Sequence, residues 1–284
     1  MFFLENPVHK EFYLQELINN SKSNILNKKG TYRQKYIAKT GDVLSHASSG
    51  MRLTVSKEIQ DEYEEGKMLL LDKPLHWTSF DVVNKVRAIL RIKKVGHAGT
   101  LDPLATGLLI ICTGKYTKKI NEYMSKGKEY TGSITLGAVT ASFDLETTPE
   151  DHKDYSSIQV SDIEEAIKKF QGDILQLPPK YSALKQKGIP LYELARKGME
   201  LELHVRKANI SAFEIVSIDM PVIHFRIACS TGTYIRSIAN DLGEELGCGG
   251  YLSSLSRTKI GDMQIENALT IDNWINQLKP STEE

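Results

Sequence analysis

Cysteine is scarce here, three residues in 284 at positions 112, 229 and 248, with no C-x-x-C pair. That spacing argues against a sequence-local zinc site and against a disulfide framework, and it fits a reducing cytoplasm. No apolar run reaches the roughly 18 residues of a membrane span, and no basic-then-apolar leader opens the chain. Neither a membrane span nor a secretory signal is therefore expected. The seven histidines form no H-x-x-x-H or H-E-x-x-H pair. A P-loop reading of Gly107 and Gly114-Lys115 fails on spacing, and Tyr116 stands where Ser or Thr would bind magnesium. Gly96-x-x-Gly99 lacks the dinucleotide fingerprint, and Tyr181-Ser182-Ala183 has no nucleophile elbow around it. No metal, nucleotide or flavin signature is left.

Net charge is absent too, with 36 Lys+Arg against 36 Asp+Glu. Its distribution says more than its sum. Residues 67–130 carry twelve basic and five acidic side chains, whereas residues 131–177 carry three and nine. A basic segment can attract a polyanion even within a neutral protein. At 284 residues with 40% hydrophobic content, the chain can bury a core in one large or two small domains.

Residues 1–50 show little sustained periodicity and read as a poorly structured N-terminal extension, with one short helix near Phe12–Ile18. Residues 51–66, with five acids and two bases, read as an acidic linker or helix. From Met68 the pattern sharpens. Met68–Leu71 is a short apolar run before Asp72-Lys73-Pro74, a buried strand entering a turn. Thr78 or Ser79 caps a helix whose apolar face is Val82, Val83, Val86, Ile89 and Leu90. Leu108–Cys112 reads as a second buried strand, and Thr117–Met124 as a helix. Tyr130–Gly137 alternates as a half-buried strand. Ser161-Asp162-Ile163-Glu164 reads as a capping box, opening a helix with Ile163, Ala166, Ile167 and Phe170 inward and Gly172 closing it.

Further on, Pro178–Ala183 is a rigid extended segment, and a helix is expected from Pro190 to Arg196. Strands follow at Ile210–Ile218 and Val222–Ser230. Thr231-Gly232-Thr233 opens a helix with Ile235, Ile238, Leu242 and Leu246 inward, ended by Gly247. Ser256–Lys259 is assigned to the tail, and a last short helix falls near Ile271–Leu278. Strands and helices intermix without a strict βαβ beat. The fold class is thus α+β, a mixed and mainly antiparallel β-sheet with flanking helices and loops.

The stretch with the most chemical content is Gly96-His97-Ala98-Gly99-Thr100-Leu101-Asp102-Pro103-Leu104-Ala105-Thr106-Gly107. Pro103 restricts its own φ and keeps Asp102 out of the helical region, so the loop is stiff where its one carboxylate sits. Alone, an Asp before Pro serves equally well as a cap or turn residue.

Four further stretches accompany it: Asp72-Lys73-Pro74 with Thr78-Ser79; Lys128-Glu129-Tyr130; Pro178-Pro179-Lys180-Tyr181-Ser182-Ala183-Leu184-Lys185 with Leu191-Tyr192 and Ala195-Arg196; and Cys229-Ser230-Thr231-Gly232-Thr233-Tyr234-Ile235-Arg236-Ser237. In this order and spacing the five resemble the TruB family of tRNA pseudouridine synthases, over residues 67–278. The resemblance implies a pseudouridine synthase fold and isomerisation of a uridine in the T-loop of tRNA, at position 55. No cofactor and no metal are implied. A carboxylate acts, the base leaves its stack, and the detached uracil is retained.

By the same resemblance Asp102 is the catalytic aspartate and Arg236 the arginine that pairs with it. Tyr130 stacks on the flipped uracil and is a candidate base should a ribose C2′ proton be removed. Tyr234 is the second active-site tyrosine, and Leu255 packs near the bound base. His97 is an RNA contact close to the target nucleotide. Lys73, Lys180 and Arg257 are structural or phosphate contacts on the substrate-binding side. Whether the intermediate is an adduct at ribose C1′, an adduct at base C6 or a glycal stays open.

Two departures stand out. Thr140-Ala141-Ser142-Phe143-Asp144 lacks the first acid of the family's acidic turn, which affects the RNA contacts of that loop. The chain runs only to a short tail, 279–284, so no C-terminal accessory RNA-binding domain is expected, and the catalytic domain must hold the T-stem-loop itself. The expected protein is a cytoplasmic monomer, with tRNA as its partner and no membrane. The alternative is a non-catalytic tRNA-binding or folding protein on the same scaffold; a guide-RNA-dependent relative fits less well without the extra domain.

Overall fold

A computed structural model describes residues 55–182 and 184–279. The expectations for residues 1–50, including the helix near Phe12, lie outside the described residues, as do positions 51–54, 183 and 280–284.

The acidic stretch is a helix, α1 (Lys57–Gly66), begun by Ser56, whose hydroxyl accepts from the Ile59 N–H. It is part of the folded body, because Tyr63 is buried and its hydroxyl accepts a 3.2 Å hydrogen bond from Trp274 Nε1. Strand β1 (Met68–Lys73) follows, then α2 (Ser79–Leu90). Thr78 caps α2 through a reciprocal box with Asp81, and the inward stripe is Val82, Val83, Val86 and Leu90. Next come β2 (Val95–Ala98) and β3 (Ala105–Thr113), whose apolar run is buried on both faces. The helix expected at Thr117–Met124 is split into a 3₁₀ turn over Gly114–Lys119 and α3 (Ile120–Ser125).

Strand β4 (Lys128–Leu136) leads to α4 (Val160–Lys168) and β5 (Gly172–Gln176). The start of α4 corrects the expected capping box. Helix geometry already begins at Val160, and the Asp162 carboxylate accepts from the Gln159 N–H at 2.8 Å, so the box sits two residues earlier. Gly172 does not close that helix, which ends at Lys168; it opens β5 instead. A two-stranded ribbon, β6 (Lys185–Gln186) and β7 (Ile189–Pro190), precedes α5 (Leu191–Arg196). Then come β8 (Arg206–Asp219), β9 (Val222–Cys229) and α6 (Ile235–Glu245). The chain returns as β10 (Gly250–Ile260), β11 (Met263–Gln264), a 3₁₀ turn, β12 (Leu269–Thr270) and α7 (Ile271–Gln277).

The main sheet has the order β12-β1-β3-β10-β4-β9-β8-β5, with β2 beside β3 and β11 beside β10. Among the described residues only the β1–β12 and β3–β10 strand pairings are parallel, so the sheet is mixed and mainly antiparallel. Strand β10, of which Ser256–Lys259 is assigned above to the tail, is the central element that joins the two halves. Its sequence, rich in Ser, Thr, Arg and Lys, hides it from apolar-pattern reading. Packing on β4, β8 and β9 centres on Phe213, Phe225, Ile227 and Ile134 beneath α4 and α6. The other half packs Leu71, Leu109 and Ile111 against α2 and Trp274 of α7.

Two glycines permit close backbone crossings. A Cβ on Gly107 would lie 2.4 Å from the Arg257 carbonyl oxygen, so β3 and β10 meet only with glycine there. Gly114 has φ +48°, and a Cβ would fall 1.9 Å from the Glu64 carbonyl oxygen where α1 crosses. Gly114→Ala is expected to destabilise by more than about 2 kcal/mol, since main chain rather than a side-chain tip must move. Lys115→Ala next to it removes only an exposed pair with Glu65 and should change stability by less than about 1 kcal/mol. Urea denaturation midpoints of the two variants test the contrast.

Candidate active site

The loop between β2 and β3 is held from three directions. Leu101 N–H donates to Ser79 Oγ at 2.9 Å, tying the loop to the start of α2. The Pro103 carbonyl accepts from His76 N–H at 2.8 Å, and the Gly99 carbonyl from Arg257 Nη2 at 3.1 Å. Leu101 is buried against the core that contains Tyr130 and Ala105, which leaves Asp102 facing outward. Its carboxylate is 38% exposed.

Helix α6 brings Arg236 to it. The guanidinium is 4% exposed and approaches Asp102 with both arms, Nε to Oδ2 at 2.9 Å and Nη2 to Oδ1 at 3.2 Å. Its other donors reach the Ser142 carbonyl at 3.0 Å and the Tyr181 carbonyl at 2.9 Å. A planar fork fixed by four acceptors leaves the carboxylate little freedom of orientation.

A second carboxylate lies at the same guanidinium. Asp144 is buried, and its Oδ2 is 3.6 Å from Arg236 Nε. From sequence Asp102 stands as a lone acid and Asp144 only as part of a loop of altered RNA contacts. The missing signal is tertiary: the 140–147 turn folds inward, with Ser142 Oγ donating to the Asp144 carbonyl at 3.0 Å and Asp144 Oδ1 accepting from Glu146 N–H at 2.9 Å. Burial pushes the Asp144 carboxyl upward, against the opposing pull of Arg236.

Tyr130, on β4, is 9% exposed. Burial raises its phenol above the ordinary value while the Arg257 guanidinium beside it works in the opposite direction. Tyr234 precedes α6, with its N–H and carbonyl both bonded to the Gln176 side chain, at 3.0 and 3.1 Å. Its phenol is likewise raised by burial, with Ser182, Arg206 and Arg236 opposing. His97 on β2 is half-buried, and burial together with Arg257 pushes its imidazole down, so it is neutral at neutral pH. Leu255 on β10 packs against the core and borders an open hollow of about 710 Å³ with Leu75, Leu104 and Thr106.

The three residues read as structural or phosphate contacts separate. Lys180 is exposed, next to the Tyr181 carbonyl that Arg236 holds. Lys73 is fully buried, donating to the carbonyls of Pro74 at 3.0 Å and Trp77 at 2.5 Å, and burial brings its ammonium down to about 8. Arg257 is 1% exposed and bonded to main chain. In this geometry the last two are internal braces rather than contacts presented to a phosphate. Lys128, another member of the basic segment, is buried too and brought down to about 8 by burial. Arg91, Lys93, Lys94, Lys115, Lys118 and Lys119 of that segment are exposed.

At least two solved structures share the architecture. A Cbf5-Nop10-Gar1 complex superposes with a TM-score of 0.59 at 27% identity, covering 81% of this chain. An H/ACA RNP bound to a substrate RNA containing 2′-deoxyuridine gives 0.58 at 25% identity, also over 81%. The chain spans 60% and 59% of those longer proteins. The architecture is therefore the pseudouridine synthase fold. The signature described as TruB family pseudouridylate synthase (N terminal domain) matches residues 87–235. Relatives from Flavobacterium johnsoniae and Chloroherpeton thalassium, both described as tRNA pseudouridine synthase B, are 51% identical over 218 residues and 47% over 224. These matches cover 74% and 77% of this chain, and 95% and 93% of the relatives. The chain belongs to the TruB family of pseudouridylate synthases.

The Asp144 environment has a pH consequence. A carboxyl whose folded pKa lies above its unfolded value binds more protons when folded, so its contribution to stability falls as pH rises through that range. Asp144→Asn removes this component. The stability difference between wild type and variant, from denaturant titrations at about pH 4 and pH 7, should shift in favour of the variant at the higher pH.

Proposed function

We propose that this protein isomerises uridine to pseudouridine in the T-loop of tRNA, at position 55, with Asp102 as nucleophile. The observation that carries the reading is the two-armed pairing of Arg236 with Asp102. It holds the carboxylate in one orientation, while its partial exposure leaves it open to a nucleotide extruded from the RNA. Relatives whose description names tRNA as substrate support the choice of RNA. Acting as a monomer in the cytoplasm is part of the same reading.

In this mechanism the Asp102 carboxylate adds to the flipped nucleotide and the N1–C1′ bond breaks. The base turns within the site, C5 bonds to C1′, and Asp102 is released. The C5 proton leaves to solvent and N1 gains one, so atoms balance with no co-reactant. Arg236 is the positioning residue for the carboxylate, and Asp144 lies against the same guanidinium. Tyr130 and Tyr234 hold the base. Stacking on one ring is worth about 1–3 kcal/mol, comparable to the cost of unstacking the base. Burial raises the Tyr130 phenol, which favours stacking as its part. His97, neutral at this site, and Leu255 contact the nucleotide, and Lys180 with the exposed cations of residues 91–119 meets phosphates.

Tritium release from tRNA labelled at uridine C5 tests the catalytic assignment. Asp102→Asn should lower release by at least about 10³-fold while tRNA binding persists. Equal release from wild type and variant would sink it and favour a binding protein on the same scaffold. The phosphate surface carries its own expectation. Affinity for a T-stem-loop should fall with salt at a log–log slope of about −3 or steeper, as four or more neutralised phosphates require. A flat salt dependence would refute it.

A further inference from the structure

Arg257 lies in the middle of β10, with Tyr130 of β4 as its antiparallel partner and Gly107 of β3 as its parallel partner. Its side chain is buried, and its directed bonds go to main chain: Nε to the Leu108 carbonyl at 2.8 Å and Nη2 to the Gly99 carbonyl at 3.1 Å. The guanidinium also flanks the Tyr130 phenol. One side chain thus touches the strand that leaves the Asp102 loop, the bend that enters it, and the ring assigned to stack on the base.

A cation buried without a carboxylate partner is costly, and an apolar side chain would fill the same volume more cheaply. The geometry shows what the guanidinium does that an apolar group could not. Gly99 lies three residues before Asp102 and Leu108 six residues after it, so the two bonds clamp the loop across its base. A lysine could reach one of these carbonyls but has no planar fork to hold both.

We infer that Arg257 is a positioning residue for the isomerisation, clamping the Asp102 loop at both ends and backing the Tyr130 ring so that carboxylate and ring keep one mutual geometry. This goes beyond the function proposed above and rests on it. Arg257 acts through Asp102 and Tyr130, not by contact with RNA, because its guanidinium is sealed inside the sheet.

The test compares full-length wild type, Arg257→Lys and Arg257→Gln. Three quantities are measured: the single-turnover rate on a T-stem-loop, the Kd for that RNA, and the ultraviolet titration of Tyr130, taken as the difference from Tyr130→Phe in each background. The charged and titratable groups facing the Tyr130 phenol are Arg257, Cys229 and Asp102. Both Arg257 variants should lose turnover, on the order of 10²-fold for the variant that loses both bonds, since small misplacements of reacting groups cost that much. The Kd should stay within about threefold, against the larger uniform weakening of a lost phosphate contact. Tyr130 should titrate higher in Arg257→Gln, which removes the positive charge, and near the wild-type position in Arg257→Lys, which keeps it.

A raised Kd with unchanged turnover would overturn the proposal in favour of a phosphate contact. Turnover that falls only with the folded fraction, with the Tyr130 titration unmoved, would reduce Arg257 to a structural role and overturn it too. Should Arg257→Gln not fold, Arg257→Lys alone decides, through turnover lost at constant Kd. Wild-type protein inactive on this RNA would sink the functional reading, whereas the titration would still report whether Arg257 governs the Tyr130 environment.

Discussion

Everything in the site depends on one buried guanidinium. Arg236 is held by the carbonyls of Ser142 and Tyr181, which come from two different loops, and it spends its remaining donors on Asp102. Removing the Asp102 partner would strip a buried guanidinium of its closest carboxylate, which is costly for a charge held inside a protein. The pairing therefore couples the 140–147 turn, the 177–182 segment, α6 and the β2–β3 loop into one unit. Asp102 is pointed by the fold as a whole rather than by its own loop.

The environment around that pair sorts by sign. Asp102 and Asp144 lie on the α6 side, and Arg257, Lys73 and Lys128 lie within the sheet, bonded largely to carbonyl groups. Groups held this firmly need little reorganisation when charge moves in the reaction. The same arrangement makes the basic character of residues 67–130 less than it looks from outside, by two of its twelve cations. Lys73 and Lys128 are internal, and the cations available to a polyanion are those at Arg91–Lys94 and Lys115–Lys119.

Much of the molecule was legible before any coordinates. Strongly patterned elements such as α2 and β3 are legible to within about three residues at each end, because their burial follows local periodicity. The stiff Asp102 loop was legible from Pro103 and its glycines. Its pairing with Arg236 followed from family resemblance, since a separation of 134 positions carries no local signal. What stayed hidden depends on tertiary contact. Strand β10 reads as polar because Ser253, Ser254 and Ser133 satisfy one another across strands. Asp144 looks like an ordinary turn acid until the turn is seen folded inward. Arg257 and Lys73 look like surface cations until their carbonyl partners are in place.

The parallel seam between β3 and β10 sets Leu255 beside Ala105 and Arg257 beside Gly107, with β10 also zipped onto β4. Until residues 250–260 have left the ribosome, the two halves of the sheet have no common strand, and the carboxylate loop lacks its far clamp. The order of synthesis thus delays assembly of the reacting centre to almost the last moment. A nascent chain carries Asp102 for more than half its length before the machinery around it can close.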